Sequence, residues 1–220
     1  MNASELIAVV VASYLIGSIP IGYLAGRALS GVDIRDHGSG SIGATNTLRV
    51  LGRGPFLAVM FLDSLKGYIP VLAVWYLFGS HDMQVACGIA VVIGHDFPVF
   101  IRFRGGRGVA TSFGVYAALA LPLAIGLAAF GLFLVIGLRY VSLMSIVTVP
   151  LGAVAFLLLA AFNVHEDFTY TKAIFGAFAT VMVLITHFGN IKRLISGGEP
   201  RFGEAVDNIG SGPRTTPRTT

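Results

Sequence analysis

The stretch "IVTVPLGAVAFLLLAAF", Ile146 to Phe162, carries no charge, and it constrains the fold more than any other part of the chain. Hydrocarbon offers no water to a free amide, so only helices and closed barrels cross a bilayer. Barrel strands alternate polar and apolar positions in short segments, whereas unbroken apolar runs approaching about 20 residues mark spanning helices. Such runs recur along the 220 residues, and the chain is 55% hydrophobic with only 12% charged residues, outside the usual soluble range. The reading is an all-α integral membrane protein.

Apolar runs bounded by Gly, Pro and charge place spans near residues 4 to 26, 55 to 78, 83 to 101, 108 to 121, 122 to 138, 143 to 163 and 171 to 189. The fourth and fifth are short for about 30 Å of hydrocarbon, and joined as one helix broken at Pro122 they make six spans. Basic residues near span ends favour the cytoplasmic side, and this decides the count. With seven spans and the N-terminus outside, Arg27, Arg35, Arg49, Arg53, Arg102, Arg104, Arg107, Arg139, Lys192 and Arg193 all fall inside. The opposite face receives only Lys172, and Lys66 lies within a span. Six spans would divide the basic loops between the two sides. The expectation is therefore seven helices, N-terminus out and C-terminus cytoplasmic, with residues 1 to 196 as the membrane domain and 197 to 220 as a largely disordered tail.

Glu5, rather than a basic segment, precedes the first apolar run, and no clear cleavage site follows it, so the helix reads as retained. The single cysteine, Cys87, excludes an intrachain disulfide and a cysteine metal cluster. The net charge of +4 comes without a basic stripe interleaved with aromatics, so nucleic acid is not an expected partner. Similarity between the two halves is not evident, which gives no support to an inverted-repeat transporter.

Three polar motifs are delivered to the expected inner face: "GSGSIGATNTLR" (38 to 49), "RFRGGRGVATS" (102 to 112) and "HFGNIKRL" (187 to 194). In the first, Gly38, Gly40 and Gly43 let backbone amides approach an anion, Ser39, Ser41, Thr45 and Asn46 add donors, and Arg49 adds a guanidinium fork suited to phosphate. Gly105, Gly106 and Gly108 around Arg107 repeat the arrangement. Two such loops suggest two phosphate-sized anions; either loop alone also fits a plain flexible connection. Neither has P-loop spacing, and no ligand cluster has metal spacing, so ATP, metal and cofactor are not expected.

His187 and Asn190 are three apart and share a face of the last helical turn, where an imidazole can take a proton and an amide can orient a hydroxyl. Periodicity alone favours the plainer reading, an interfacial histidine before a helix-ending asparagine. Asp63 and Lys66 have the spacing of an intrahelical ion pair that braces the first loop. His95 is a candidate site member, Asp96 reads as structural, and Ser142 reads as a site residue or a helix cap.

In this order and spacing, "GSIPIGYL", "GSGSIGATNTLR", "LDSLKG", "GHDFPVFIRFRGGRGVATS", "RYVSLMS" and "HFGNIKRL" resemble the bacterial acyl-phosphate-dependent glycerol-3-phosphate acyltransferases, the PlsY family, over residues 5 to 196. The resemblance implies a seven-helix inner-membrane enzyme whose site opens to the cytoplasm. It implies transfer of a fatty acyl group from acyl phosphate to the 1-hydroxyl of glycerol 3-phosphate, giving lysophosphatidic acid and phosphate, without acyl-CoA or acyl carrier protein as direct donor. Membrane lipids and functional coupling to an enzyme that supplies acyl phosphate are the implied partners. Ser39 matches the family's essential serine, Thr45, Asn46 and Arg49 its polar and phosphate-binding positions, Ser142 a substrate-binding serine, and His187 with Asn190 its catalytic pair. Lys66, His95 and Lys192 are further substrate-binding candidates. Arg107 stands where the family usually has lysine, Ser41 where asparagine is commoner, and Phe188 where a charged residue often follows the histidine. Ser39 fits either a nucleophile activated by His187 or a hydrogen-bonding orienter. A transporter of phosphate-containing anions is the rival reading from another class.

Overall fold

The computed structural model describes residues 2–204, and these are helical without strands. Ten helices follow one another: α1 (Ala3–Gly17), α2 (Ile21–Ser30), α3 (Ala44–Leu51), α4 (Arg53–Phe78), α5 (His81–Asp96), α6 (Val109–Leu119), α7 (Leu121–Leu138), α8 (Val141–Ala161), α9 (Tyr170–Thr186) and α10 (Phe188–Ile195). Five stretches are long and apolar enough to cross a membrane: α1 with α2, α4, α5 through Ile101, α7 and α8. The pair α9 and α10 forms a sixth, bent by 64° at its break. Helix α6, with 11 residues, is the short one. The molecule is a multi-pass membrane protein.

Local chemistry sets several boundaries. The Ser4 amide donates to Asn2 Oδ1 and the Asn2 amide to Glu5 Oε2, so Glu5 completes a capping box that starts α1. The expected first span is not continuous, because the chain turns at Ser18–Pro20 between α1 and α2. At this turn the Ile19 carbonyl leaves the helical ladder and accepts from the Ile21 amide at 3.1 Å and from Lys66 Nζ at 3.0 Å. Lys172 has a parallel role at the other end of the bundle. It is buried rather than facing solvent, and its ammonium donates to the Leu119 carbonyl at 2.9 Å, where α6 stops.

Lipid tails are as apolar as leucine, so helix association here depends on close backbone contact and on hydrogen bonds. Glycines sit at the crossings. A Cβ on Gly67 of α4 would lie 2.2 Å from the Thr111 carbonyl oxygen of α6, and one on Gly114 of α6 would lie 1.9 Å from the Ser64 carbonyl oxygen of α4. Gly17 meets Val91 across α1 and α5, and Gly176 meets Ala153 across α9 and α8 in the same way. Between these crossings Tyr116 anchors the core, its ring against Phe156 and Phe175 and its hydroxyl donating to the Val149 carbonyl at 3.0 Å. The outward residues of α7, including Leu132, Phe133 and Ile136, are exposed and apolar, as a lipid-facing surface requires.

The basic connections gather at one end. Arg35 Nη1 in the α2–α3 connection donates to the Ile101 carbonyl in the α5–α6 connection at 2.9 Å, and Thr186 Oγ1 reaches the Arg107 carbonyl at 3.5 Å. The segment after α10 returns to the same end: the Phe202 amide donates to the Arg139 carbonyl at 2.6 Å, and the Phe202 ring packs near Phe56. Residues 197–204, assigned to the tail, therefore contact the helices; 205–220 lie outside the described residues.

Candidate active site

The first glycine loop is organised around Asn46, which is buried. Its Oδ1 accepts from the Ser39 amide at 2.8 Å, and its Nδ2 donates to the carbonyls of Ile34, Ser41 and His37 at 2.9, 2.8 and 3.2 Å. All of its hydrogen-bonding capacity goes to the loop, so Asn46 shapes the site rather than offering a free amide to a ligand. Gly38 and Gly40 have φ of 60° and 70°, left-handed conformations that favour glycine. At Gly38 a side chain would also strike Asn46 Oδ1. The loop leads into α3 at Gly43, where no side chain caps the helix and the first amides stay available to an anion. Ser39 is exposed on this loop, and Thr45 and Arg49 lie on α3.

The α9–α10 break presents the next group. His187 is the N-cap of α10: its carbonyl accepts from the Ile191 amide at 2.9 Å, so at the bend between the two helices it heads the turn that carries Asn190. His187 Nδ1 is 3.0 Å from the Val183 carbonyl. A carbonyl only accepts, so Nδ1 carries the hydrogen and Nε2 is left as a basic lone pair in the neutral ring.

Asn190 Nδ2 donates to Glu199 Oε1 at 2.6 Å, and Arg193 Nε donates to Glu199 Oε2 at 2.9 Å. Burial opposes the charge of Glu199, but the nearby Ser142 hydroxyl and the hydrogen bonds from Asn190 and Arg193 outweigh it and hold the carboxyl below its usual pKa. Ser142 is buried in the first turn of α8, close to this carboxylate. Arg49 and Arg107 lie within electrostatic range of Glu199 and Arg193. Burial lowers both guanidinium pKa values and the Arg193 charge adds to the effect, while Glu199 opposes it. Neither Arg49 nor Arg107 has an ion-pair partner among the described residues. Two partly buried cations beside one carboxylate leave a positive seat that gains from a bound anion.

The other expected residues fall elsewhere. Lys66 pairs with Asp63 at 2.7 Å inside the bundle, and His95 Nδ1 lies 3.6 Å from the same Asp63 oxygen, so both are structural neighbours beneath the loops. Lys192 is exposed and its ammonium stacks over Phe188 at 4.6 Å; Arg193, one residue on, is the cation on the Asn190 side. Gly105, Gly106 and Gly108 all pack against the His95–Asp96 corner. Sequence reading missed Arg193, Glu199 and Thr186. The signal was present for Arg193, three residues after Asn190, but an acidic residue in "GGEPRFG" gave no helical phase to read. A recess between Asn163 and Tyr170 lies at the opposite end of α9, away from the arginines.

A multi-pass helical membrane protein with a cationic seat, a neutral imidazole and an uncapped glycine loop at one end is equipped to bind a phosphorylated substrate and move a proton. The chain belongs to the glycerol-3-phosphate acyltransferase family, whose profile matches residues 7–197. A glycerol-3-phosphate acyltransferase of Parasynechococcus marenigrum (strain WH8102) is 44% identical over 192 residues, 87% of each chain. The crystal structure of PlsY (YgiH), an integral membrane glycerol 3-phosphate acyltransferase in its glycerol 3-phosphate form, superposes with a TM-score of 0.78 at 39% identity, over 90% of this chain and 96% of that one. Its lysophosphatidic acid form gives 0.77 at 38% identity with the same coverage.

Proposed function

We propose that the protein transfers a fatty acyl group from acyl phosphate to the 1-hydroxyl of glycerol 3-phosphate at this seat, releasing lysophosphatidic acid and phosphate. The observation that carries the reading is the unpaired couple Arg49 and Arg107 beside His187, Asn190 and Glu199. Two anionic substrates need two cations, and this end of the molecule supplies them.

Acyl phosphate is a mixed anhydride with a good leaving group, so alignment and charge stabilisation suffice for the chemistry. The glycerol oxygen forms the new ester bond to the acyl carbon, the bond from that carbon to the phosphate oxygen breaks, and phosphate leaves with the electron pair. His187 Nε2 takes the hydroxyl proton. Asn190 is held by Glu199 and aligns the reacting groups. Arg49 with the first loop takes one phosphate, and Arg107 takes the other. Ser39 orients a substrate rather than attacking it: among the described residues no base is within hydrogen-bonding distance of its hydroxyl. Apolar helix faces receive the acyl tail, and membrane lipids surround it.

The same reading takes seven crossings of a bacterial inner membrane, with the N-terminus outside and the seat facing the cytoplasm. Supporting it, α6 begins at Val109 just after Arg107 among the basic loops and ends where Lys172, in the first turn of α9, meets it, and α7 returns to Arg139 beside the residues that follow α10. An enzyme supplying acyl phosphate would then work on the same face.

The test mixes purified protein with palmitoyl phosphate and labelled glycerol 3-phosphate, and in parallel with palmitoyl-CoA, without ATP or divalent metal. Labelled lysophosphatidate from the phosphate donor alone is the expected result, with no hydroxylamine-sensitive acyl ester on the protein. A folded protein inactive with both donors would contradict the proposal, and liposome uptake of the labelled anion would then favour transport.

A further inference from the structure

The second glycine loop differs from the first in one respect that its glycine content conceals. Asp96, at the end of α5, is only 4% exposed, and neither carboxylate oxygen has a hydrogen-bond partner among the described residues. A Cβ on Gly108 would stand 2.9 Å from Asp96 Oδ1 and 3.2 Å from Oδ2, so the carboxylate lies directly against the residue that begins α6. No side chain caps that helix by hydrogen bond, and its first amides carry the positive end of the dipole.

The preceding residues tighten the same corner. The Gly106 amide donates to the His95 carbonyl at 3.0 Å, a Cβ on Gly106 would overlap the His95 ring, and one on Gly105 would overlap the His95 and Asp96 carbonyls. Beneath them, His95 is tied to the Asp63–Lys66 pair. On the far side, Thr186 reaches the Arg107 carbonyl just before His187. The loop is thus gripped from both sides, and Arg107, half-buried where Arg102 and Arg104 are exposed, lies within electrostatic range of Glu199 and Arg49.

We propose that Asp96 is a positioning residue: its carboxylate anchors the N-terminus of α6 and thereby holds Arg107 at the anion seat. The glycines of this loop allow that contact, and the charge of Arg107, rather than the α6 amides, binds the substrate phosphate. This inference rests on the acyl-transfer reading above.

The experiment compares kcat and KM for both substrates in the parent, Asp96→Ala, Asp96→Asn, Arg107→Ala and the double alanine variant, each checked for folding in detergent. Arg107→Ala identifies the substrate whose phosphate it holds by raising that KM. Asp96→Ala raises the same KM about tenfold, the size of a lost charge at a partly buried helix N-terminus, and leaves kcat within about threefold. Asparagine, which keeps the shape but not the charge, raises KM as alanine does, and a parental KM in that variant would overturn the charge contact. The double variant is no worse than Arg107→Ala alone, because the two residues act in series. A parental KM in Asp96→Ala, a fall in kcat alone, or effects that multiply in the double variant would overturn the inference. Asp96→Val, which fills the site with an apolar group, replaces the alanine protein should that not fold.

Amide hydrogen exchange across residues 105–112 reads the anchoring without activity. Exchange about tenfold faster there in Asp96→Ala, with α8 unchanged, supports it, and parental exchange overturns it. An inactive parent with this exchange pattern would defeat the acyl-transfer reading alone. An active parent indifferent to Asp96 would defeat only the anchor.

Discussion

Ser39→Ala and His187→Ala each slow acyl transfer about a thousandfold while the protein stays folded. His187 is buried, its Nδ1 hydrogen is committed to the Val183 carbonyl, and Nε2 is the basic nitrogen left at the seat. Alanine removes the proton acceptor without unpairing a charge, and the Val183 carbonyl stays within a helix that bonds it by other means: the His187 amide donates to it at 3.0 Å. Ser39 is exposed, and its backbone amide, not its hydroxyl, holds the loop through Asn46. Its loss therefore reaches catalysis and spares the loop. The check is single-turnover acyl transfer beside thermal unfolding in detergent; a variant retaining a tenth or more of parental rate removes that side chain from the mechanism.

Gly114→Leu destroys the fold. Its Cβ would lie 1.9 Å from the Ser64 carbonyl oxygen and 2.8 Å from the carbonyl carbon, and the neighbour is backbone that cannot rotate away. Gly67 faces Thr111 across the same crossing, so α4 and α6 would have to separate along a shared face. Overpacking against yielding side chains costs about 1–3 kcal/mol. A rigid double crossing belongs with the exceptional substitutions above about 4 kcal/mol. Gly126→Leu is the control, since nothing lies within 4 Å of a Cβ there and α7 faces lipid. Monodispersity and thermal unfolding in detergent should separate the two; equal stability would mean that α4 and α6 do not pack so closely.

Much of the architecture was legible in the sequence because two strong physical signals agree in this chain. Hydrocarbon demands long apolar helices, and the arginines mark one end of each. The helix breaks were less legible. The turn at Ser18–Pro20 is completed by Lys66, 47 residues beyond the carbonyl it satisfies, and the 64° break at His187 falls in an otherwise helical pattern without glycine or proline just before it. Within α10, Arg193 rather than Lys192 attends Asn190 because it follows at the i,i+3 spacing that shares a helix face.

The site motifs were legible as composition and only partly as roles. Asn46 reads as a donor to substrate until its amide is seen holding three carbonyls of its own loop. His95 and Lys66 read as site members from polarity, yet both serve a buried network around Asp63. Glu199 was invisible because its partners are 6 and 9 residues away across a turn rich in glycine. The common cause is that a polar side chain in a membrane protein must first satisfy the interior before it can serve a ligand.

Arg49 and Arg107 are proposed as the seat of the anionic substrates. Equilibrium binding of labelled glycerol 3-phosphate to the detergent-purified parent, Arg49→Ala and Arg107→Ala tests it without turnover. Saturable binding to the parent is expected, weakened about a hundredfold in at least one arginine variant by the loss of a charge-assisted contact. Parental affinity in both variants would contradict it.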